Sequence, residues 1–326
     1  IEDLAINGTG HGYCLYIGNT TQPFIIRNCS LYGANNGALM PYFPNASLVV
    51  YNSTYGVIDD NIFEYNNYSG IYMQESSNFT ITGNIAQYNS NVGISTYYSP
   101  DIIISNNIVL HNDIGINLNR GHRNQIVNNS IEGHREAARL YDTNDNMIFR
   151  NRISNNSAGL ILFPSDAYNH VFENDFINNT GYAINVGIAS SFNKVYHNNI
   201  ISINRTAYGI NPFNNNWDDG YPSGGNYWSN YTGTDENGDG IGDTPFTNIG
   251  GGTGEMDYYP LMRPYGWIHE PIMINDNWIV TENTTYISTQ IQVNGNIIVR
   301  PGISLTLINV NLTGLNLIVQ NGAYVK

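Results

Sequence analysis

Between Val57 and Ile210 the chain repeats itself. Ile62, Ile85, Ile108, Ile131, Ile153, Phe176 and Ile200 follow one another at steps of 23, 23, 23, 22, 23 and 24 residues. Two positions earlier runs a second ladder, Asp60, Gly83, Asn106, Asn129, Asn151, Asn174 and Asn198. A third runs Ile71, Ile94, Ile116, Ala138, Leu160, Ile184 and Ile210, mostly with Gly or Ala just before. A fourth runs Asn78, Asp101, Asn124, Asn146, Asn169 and Asn193. A fixed period of this kind is read before anything else, because it dictates the architecture. Each unit holds three short apolar segments separated by Asn, Gly and Ser. They are too short for helices and suit strands. One unit cannot bury its apolar side alone, but stacked units can, with like residues piled at about the 4.8 Å strand spacing. The expected fold is all-β: a right-handed parallel β-helix with three strands per coil, Ile filling the lumen and Asn forming amide ladders at turns, where Asn tolerates unusual backbone angles. Leucine-rich repeats need a Leu-x-x-Leu-x-Leu frame that is missing.

The chain of 326 residues has room for this solenoid and more. Twelve Lys and Arg face 26 Asp and Glu, a formal charge of −14, which argues against nucleic acid and anionic membrane as partners. No apolar run approaches the ~20 residues of a membrane span, and no signal peptide is recognisable. The start at Ile1, inside what reads as a strand, points to a processed or truncated piece. Cys14 and Cys29 form the expected disulfide of an oxidising compartment. Fourteen Asn-x-Ser/Thr sequons lean the same way, towards a secreted, N-glycosylated surface protein. Asn45, Asn52, Asn67, Asn230 and Asn283 are the candidate sites, whereas Asn78 lies on a ladder and is expected to be less accessible.

Residues 1–213 read as the β-helix, with a proline-containing loop at Pro41–Asn45. Residues 214–263 read as its closing segment, 264–276 as a linker, and 277–326 as a strand-rich module, the start of a second β-helix or an assembly segment. In the closing segment, Gly-Asn-Tyr-Trp-Ser-Asn-Tyr (225–231), Thr-Asp-Glu-Asn-Gly-Asp-Gly-Ile-Gly-Asp-Thr-Pro (234–245) and Asp-Tyr-Tyr-Pro-Leu-Met (257–262) occur in turn. With the repeats before them, these strings resemble the end of a NosD-type β-helix domain, part of a wider group of carbohydrate-binding and sugar-hydrolase β-helices. The resemblance covers roughly residues 57–263. It implies the fold and an extracytoplasmic address, and says little about activity.

Asp235, Asn237, Asp239, Ile241 and Asp243 stand at positions 1, 3, 5, 7 and 9 of a calcium-loop pattern, with Gly240 at the sharp turn. Phe246 replaces the usual Glu at position 12, so Glu255 or Asp257 would have to complete the shell. Structural Ca2+ is therefore the expected cofactor. His111 and His134 are expected one coil apart on the surface. Two imidazoles without a Cys make a thin metal site, although the NosD resemblance implies copper.

Arg120 should neighbour Asp142, and Arg123 should neighbour Asp145. Arg120, Arg139, His111 and His134 are the candidates for proton abstraction beside a uronate, as a lyase or epimerase requires; the alternative is a set of ion pairs between coils. Outward residues near the third ladder include Tyr72, Tyr97, Asn119, Tyr141 and Phe163. These suit sugar rings and hydroxyls, but such aromatic ladders also simply stabilise sheets. Two functions follow. One is a structural surface protein, a filament or surface-layer subunit whose partners are other copies of itself stacked end to end. The other is a carbohydrate-active protein that binds or cleaves polysaccharide on the outer face.

Overall fold

The computed structural model describes residues 1–35, 45–201, 205–209, 214–251, 254–265, 272–281, 283–287, 290–308 and 311–325. Three parallel sheets wind through the first of two compact units, Ile1–Tyr265. Each coil contributes one strand to each sheet. Sheet 1 starts at Ala5–Asn7 and has ten strands, sheet 2 starts at Tyr13–Gly18 and has ten, and sheet 3 starts at Phe24–Arg27 and has eight. This is a right-handed parallel β-helix, and no helix occurs among the described residues.

The lumen is a continuous apolar column. In sheet 1 it is built from Leu31, Phe63, Ala86, Val109, Ile131, Ile153, Phe176, Ile200 and Trp228, all essentially inaccessible to solvent. Sheet 2 adds Leu48, Ile71, Ile94, Ile116, Ala138, Leu160, Ile184 and Ala207. The third ladder of the sequence is this lumen row as far as Ile184; Ala207 then takes the slot, and Ile210 lies outside the described residues.

The first ladder needs correcting. Ile108 pairs with Ser130, and it is Val109 that pairs with Ile131. Ile62 and Ile85 therefore point outwards, whereas Ile131, Ile153, Phe176 and Ile200 point into the lumen. A coil shortened to 22 residues there was hidden by Ile standing at both positions. A slip of one residue changes the face of a strand.

The second ladder is the buried row from Asn129 onwards, as read, and stands one residue before it at Asp60, Gly83 and Asn106. The buried row at the corner leading into sheet 1 is Asn61, Asn84, Asn107, Asn129, Asn151, Asn174, Asn198 and Asn226. Each accepts a hydrogen bond from the backbone N–H of its predecessor, as Asn129 N–H donates to Asn151 Oδ1 at 3.0 Å. Each also donates from Nδ2 to a lumen-strand carbonyl, as Asn151 does to Ile126 O at 2.8 Å. The left-handed residue is the one before it: Asp60, Gly83, Asn106, Asn128, Arg150, Glu173 and His197 all have φ between 52° and 66°. The ladder Asn is thus fixed by hydrogen bonding to buried backbone, and almost any residue serves at the strained position before it.

Cys14 and Cys29 are not bonded to each other. Cys29 stands in the corner row, in the slot before Asn61, and its thiol donates to Arg27 O at 3.1 Å. Cys14 belongs to sheet 2, in the row of small residues Ser47, Gly70 and Gly93, and donates to Tyr32 O at 3.3 Å.

The closing segment seals the end of the lumen. Trp217, Trp228 and Phe246 are buried, and the rings of Trp228 and Phe246 stack at 4.3 Å. Asp257 ends the corner ladder: its Oδ2 accepts from Asn226 N–H at 2.7 Å and Trp228 Nε1–H at 2.8 Å, and its Oδ1 from Tyr259 N–H at 3.0 Å. Glu255 ends a second amide row, taking Trp217 Nε1–H and the side chain of Asn215.

The second unit, Gly266–Lys326, carries three three-stranded parallel sheets around Val280, Ile291, Val293, Ile297, Val299 and Leu305. Its first strand, Ile272–Ile274, falls inside the stretch read as linker. The loop at Pro41–Pro44 lies outside the described residues.

Candidate functional site

The outer face of sheet 2 gathers most of the chemistry. Three outward rows cross it. The middle row runs Tyr16, Val49, Tyr72, Ser95, Asn117, Arg139, Ile161, Asn185 and Tyr208. The row beside it runs Tyr51, Gln74, Tyr97, Asn119 and Tyr141, and Phe163 continues it, with the Tyr141 and Phe163 rings 5.8 Å apart. The first row includes Tyr13, Val92, Ile114, Glu136 and Tyr182. All five residues read from the sequence as a glycan face thus lie on one surface. Tyr13, Tyr16, Tyr51, Tyr182, Tyr208 and Glu136 join them. One 23-residue step back from Gln74 reaches Tyr51, and the longer step of 33 residues back from Val49 reaches Tyr16.

Hydrogen bonds organise this face from coil to coil. Arg139 Nε donates to Asn117 Oδ1 at 2.8 Å, and Asn117 Nδ2 donates to Ser95 Oγ at 3.1 Å. Tyr72 donates its phenol to Gln74 Oε1 at 2.9 Å. Burial pushes the Tyr72 phenol up to about 12, so it stays neutral and serves as a donor.

At one border, Arg120 joins Asp142 at 3.2 Å and also contacts the phenols of Tyr97 and Tyr98. At the other, Arg135 clamps Asp113 through two bonds of 2.9 Å and touches Glu136. That clamp holds the Asp113 carboxyl below its ordinary range. The Arg120–Asp142 expectation is met. Arg123 likewise shares its corner rung with Asp145 on the next coil, but its fork of two 2.8 Å bonds goes to Asp101 on the preceding coil. Asp101, read from the sequence on the fourth ladder with Asn124, aligns instead with Arg123, again a one-residue slip.

His111 and His134 do not stack together. His111 is exposed, its ring 5.2 Å from that of Tyr88, and Gly133 lies over it. His134 is buried and takes an Asn slot, between Asn112 and Asn156. Its Nδ1 accepts from Asn112 N–H at 3.1 Å, and its Nε2–H donates to Val109 O at 3.0 Å. Burial holds this imidazole below the usual histidine range. A ring with both nitrogens spent on backbone can neither abstract a substrate proton nor ligate a metal. Neither His is on the face that carries Arg139.

The loop Asp235–Asp243 is wrapped on itself. Asp235 accepts from Gly238, Asp239 and Gly240 N–H, Asp239 from Ile241 N–H, and Asp243 from Glu236 N–H. Asn237 donates to Asp239 at 3.0 Å. Glu255 and Asp257 are committed to the ladder ends instead of completing this loop. Phe246, at position 12, is spent in the core on Trp228.

Among the sequons, Asn52, Asn67, Asn230 and Asn283 are exposed and Asn45 is half-buried. Asn78, expected to be less accessible, is exposed at a left-handed corner.

A family profile described as "Periplasmic copper-binding protein (NosD)" matches residues 4–233. The chain belongs to the NosD family. No curated protein sequence matches it. Among solved structures, a point mutant of the periplasmic alginate epimerase AlgG is similar at 17% identity and a TM-score of 0.51, over 95% of this chain and 62% of that one. The chain thus spans about three-fifths of that structure's length, and the likeness is one of fold. The A-module of Azotobacter vinelandii mannuronan C-5 epimerase AlgE6 is similar at 14% identity and a TM-score of 0.45, over 100% of this chain and 88% of that one.

The family description raises copper. Copper is held by imidazole and sulfur ligands. In this NosD-family chain His134 is consumed by backbone, and among the described residues no three His, Cys, Asp or Glu side chains converge as a metal centre requires. The described residues do not fit a copper centre. No described helix is long and apolar enough to cross a membrane.

Proposed function

We propose that this chain is a secreted polysaccharide-binding β-helix whose ligand lies along the outer face of sheet 2. One observation carries the reading: the aromatic and amide side chains cluster on that face. Sugar rings stack on aromatic faces, and sugar hydroxyls pair with amides. A polymer running along the solenoid would meet a similar rung at every coil. The periplasmic descriptions of the family and of AlgG, itself an alginate epimerase, support an extracytoplasmic address and a glycan ligand. Binding is favoured over cleavage because the candidate bases His111 and His134 stand away from Arg120 and Arg139.

Affinity electrophoresis of the purified protein through gels containing individual polysaccharides tests this. At least one polymer should retard the wild type, and Tyr97→Ala with Tyr141→Ala should abolish the retardation. Migration unaffected by every polymer rejects the reading. Appearance of new reducing ends or of unsaturated uronate absorbance would instead favour the catalytic alternative.

End-to-end assembly is a second reading. The closed end of the first unit removes one stacking surface, so copies would have to join through residues 272–325, where Leu317, Ile318 and Val319 are all exposed. Electron microscopy showing only monodisperse monomers would reject it. Calcium in the loop Asp235–Asp243 and glycans on Asn52, Asn67, Asn230 and Asn283 belong to the same secreted reading, and intact-mass measurement of the native material tests both.

A further inference from the structure

We infer that the polysaccharide taken by the sheet 2 face is uncharged. This rests on the binding reading above and narrows it by charge. The structural likeness is to enzymes of alginate, a polyanion. A face for a polyanion needs guanidinium or ammonium groups left open for carboxylate or sulfate. From the strand Tyr13–Gly18 to the strand Tyr182–Val186, the sheet itself carries one cation, Arg139, and one carboxylate, Glu136; Arg205 follows in the next strand. The closest approach of Arg139 to Glu136 is 3.6 Å, and Arg139 is held in place by Asn117.

The cations at the borders are likewise spent. Arg120 is taken by Asp142, and Arg135 by Asp113 and Glu136. Three guanidinium groups thus meet three carboxylates already bonded to them, and Glu75 on the border adds a further negative charge. The whole chain carries −14, so a polyanion would approach against the net field.

What is left for a ligand among the described side chains of those coils is uncharged. Tyr97, Tyr141 and Phe163 give ring surface, and Asn119 and Asn185 give amides. Neutral glycan chains need those two kinds of contact and no counter-charge.

The test is affinity electrophoresis against two panels. One holds neutral polymers: dextran, mannan, galactomannan, soluble β-glucan and hydroxyethyl cellulose. The other holds polyanions: alginate, polygalacturonate and heparin. The expected result is retardation by at least one neutral polymer, with a dissociation constant changing less than twofold between 50 and 500 mM salt. Tyr97→Ala with Tyr141→Ala should weaken it at least tenfold, with circular dichroism unchanged. Asp113→Asn with Asp142→Asn, which releases Arg135 and Arg120, should add salt-sensitive retardation by the polyanions that the wild type lacks. Retardation of the wild type by polyanions alone overturns the inference and leaves the binding reading standing. Neutral binding untouched by the tyrosine changes overturns the location. Retardation by neither panel overturns the inference and the binding reading together.

Discussion

His134 occupies a slot that its neighbours fill with Asn, and it copies their hydrogen bonds with an imidazole. Unlike an amide, it can be protonated. Its folded pKa is depressed by burial from 6.5, so the unfolded chain binds more protons as pH falls below about 6.5 and this residue's stability contribution is lost. Wild type should therefore lose stability relative to His134→Asn between pH 7 and 5, as read by chemical denaturation of both proteins. Asp166 has the opposite sign. Its carboxyl is fully buried and accepts from Thr143 N–H at 2.7 Å, while Oδ2 has no hydrogen-bond partner among the described residues, and burial pushes it up to about 7. Its contribution is full below about pH 4 and is lost as pH rises through 7. Asp166→Asn should accordingly be more stable than wild type at pH 8 by roughly 2 kcal/mol, with the gap closing by pH 4. Equal stability of the two at both pH values would show Asp166 to be solvated. Neither residue stands out in the sequence. Both occupy ladder slots, and only alignment of the corners to the residue reveals that they are inside.

A corner of this β-helix is a two-residue device: a left-handed residue, then a buried side chain that ties three segments of backbone together. The sequence shows the recurrence of Asn but not which of two adjacent positions is buried, because Asn suits both. Asn128-Asn129 and Asn178-Asn179 illustrate the ambiguity, and Arg150-Asn151 and Phe192-Asn193 resolve it. The strand register was legible wherever the lumen residue was large and its outward neighbour polar, as at Ile71, Ile94, Ile116 and Ile184. It failed at Ile62, Ile85 and Ile108, where apolar residues fill both faces. The two halves of the device predict opposite mutational outcomes. Asn151→Ala leaves Asn129 N–H without its acceptor and removes the amide's bonds to Ile126 O and Phe149 O, and should cost about 3 kcal/mol in denaturant melts. Ala189 is exposed at φ 64°. Ala189→Gly relieves a left-handed β-carbon while freeing the unfolded chain, so stability should stay level or rise by up to about 1 kcal/mol. A marked loss there would place the strain elsewhere in the turn.

At the scale of the whole first unit, the open question is what keeps the last coil from fraying. Two carboxylates, Glu255 and Asp257, end two amide rows, and Trp228 and Phe246 plug the lumen. The loop Asp235–Asp243 is tied into this closure, since Ile241 bridges Leu261, which in turn bridges Tyr227 in the last strand of sheet 1. A calcium ion in the loop would bind the folded closure and not the unfolded chain, so it would stabilise by mass action. At a free concentration a hundred times its dissociation constant it would contribute about 2.7 kcal/mol. For a unit of this size that is a rise of roughly 5–10 °C in melting temperature. Calorimetry in 2 mM calcium against excess EDTA should show it, and Asp235→Ala with Asp239→Ala should melt at one temperature in both buffers. Hydrogen exchange should place the calcium-dependent protection at residues 226–262 and leave the central coils unchanged. A wild type whose melting and exchange ignore calcium would mean that Asp235, Asp239 and Asp243 hold the turn through backbone N–H groups alone, and that the hydrophobic plug and the ladder ends suffice to close the helix.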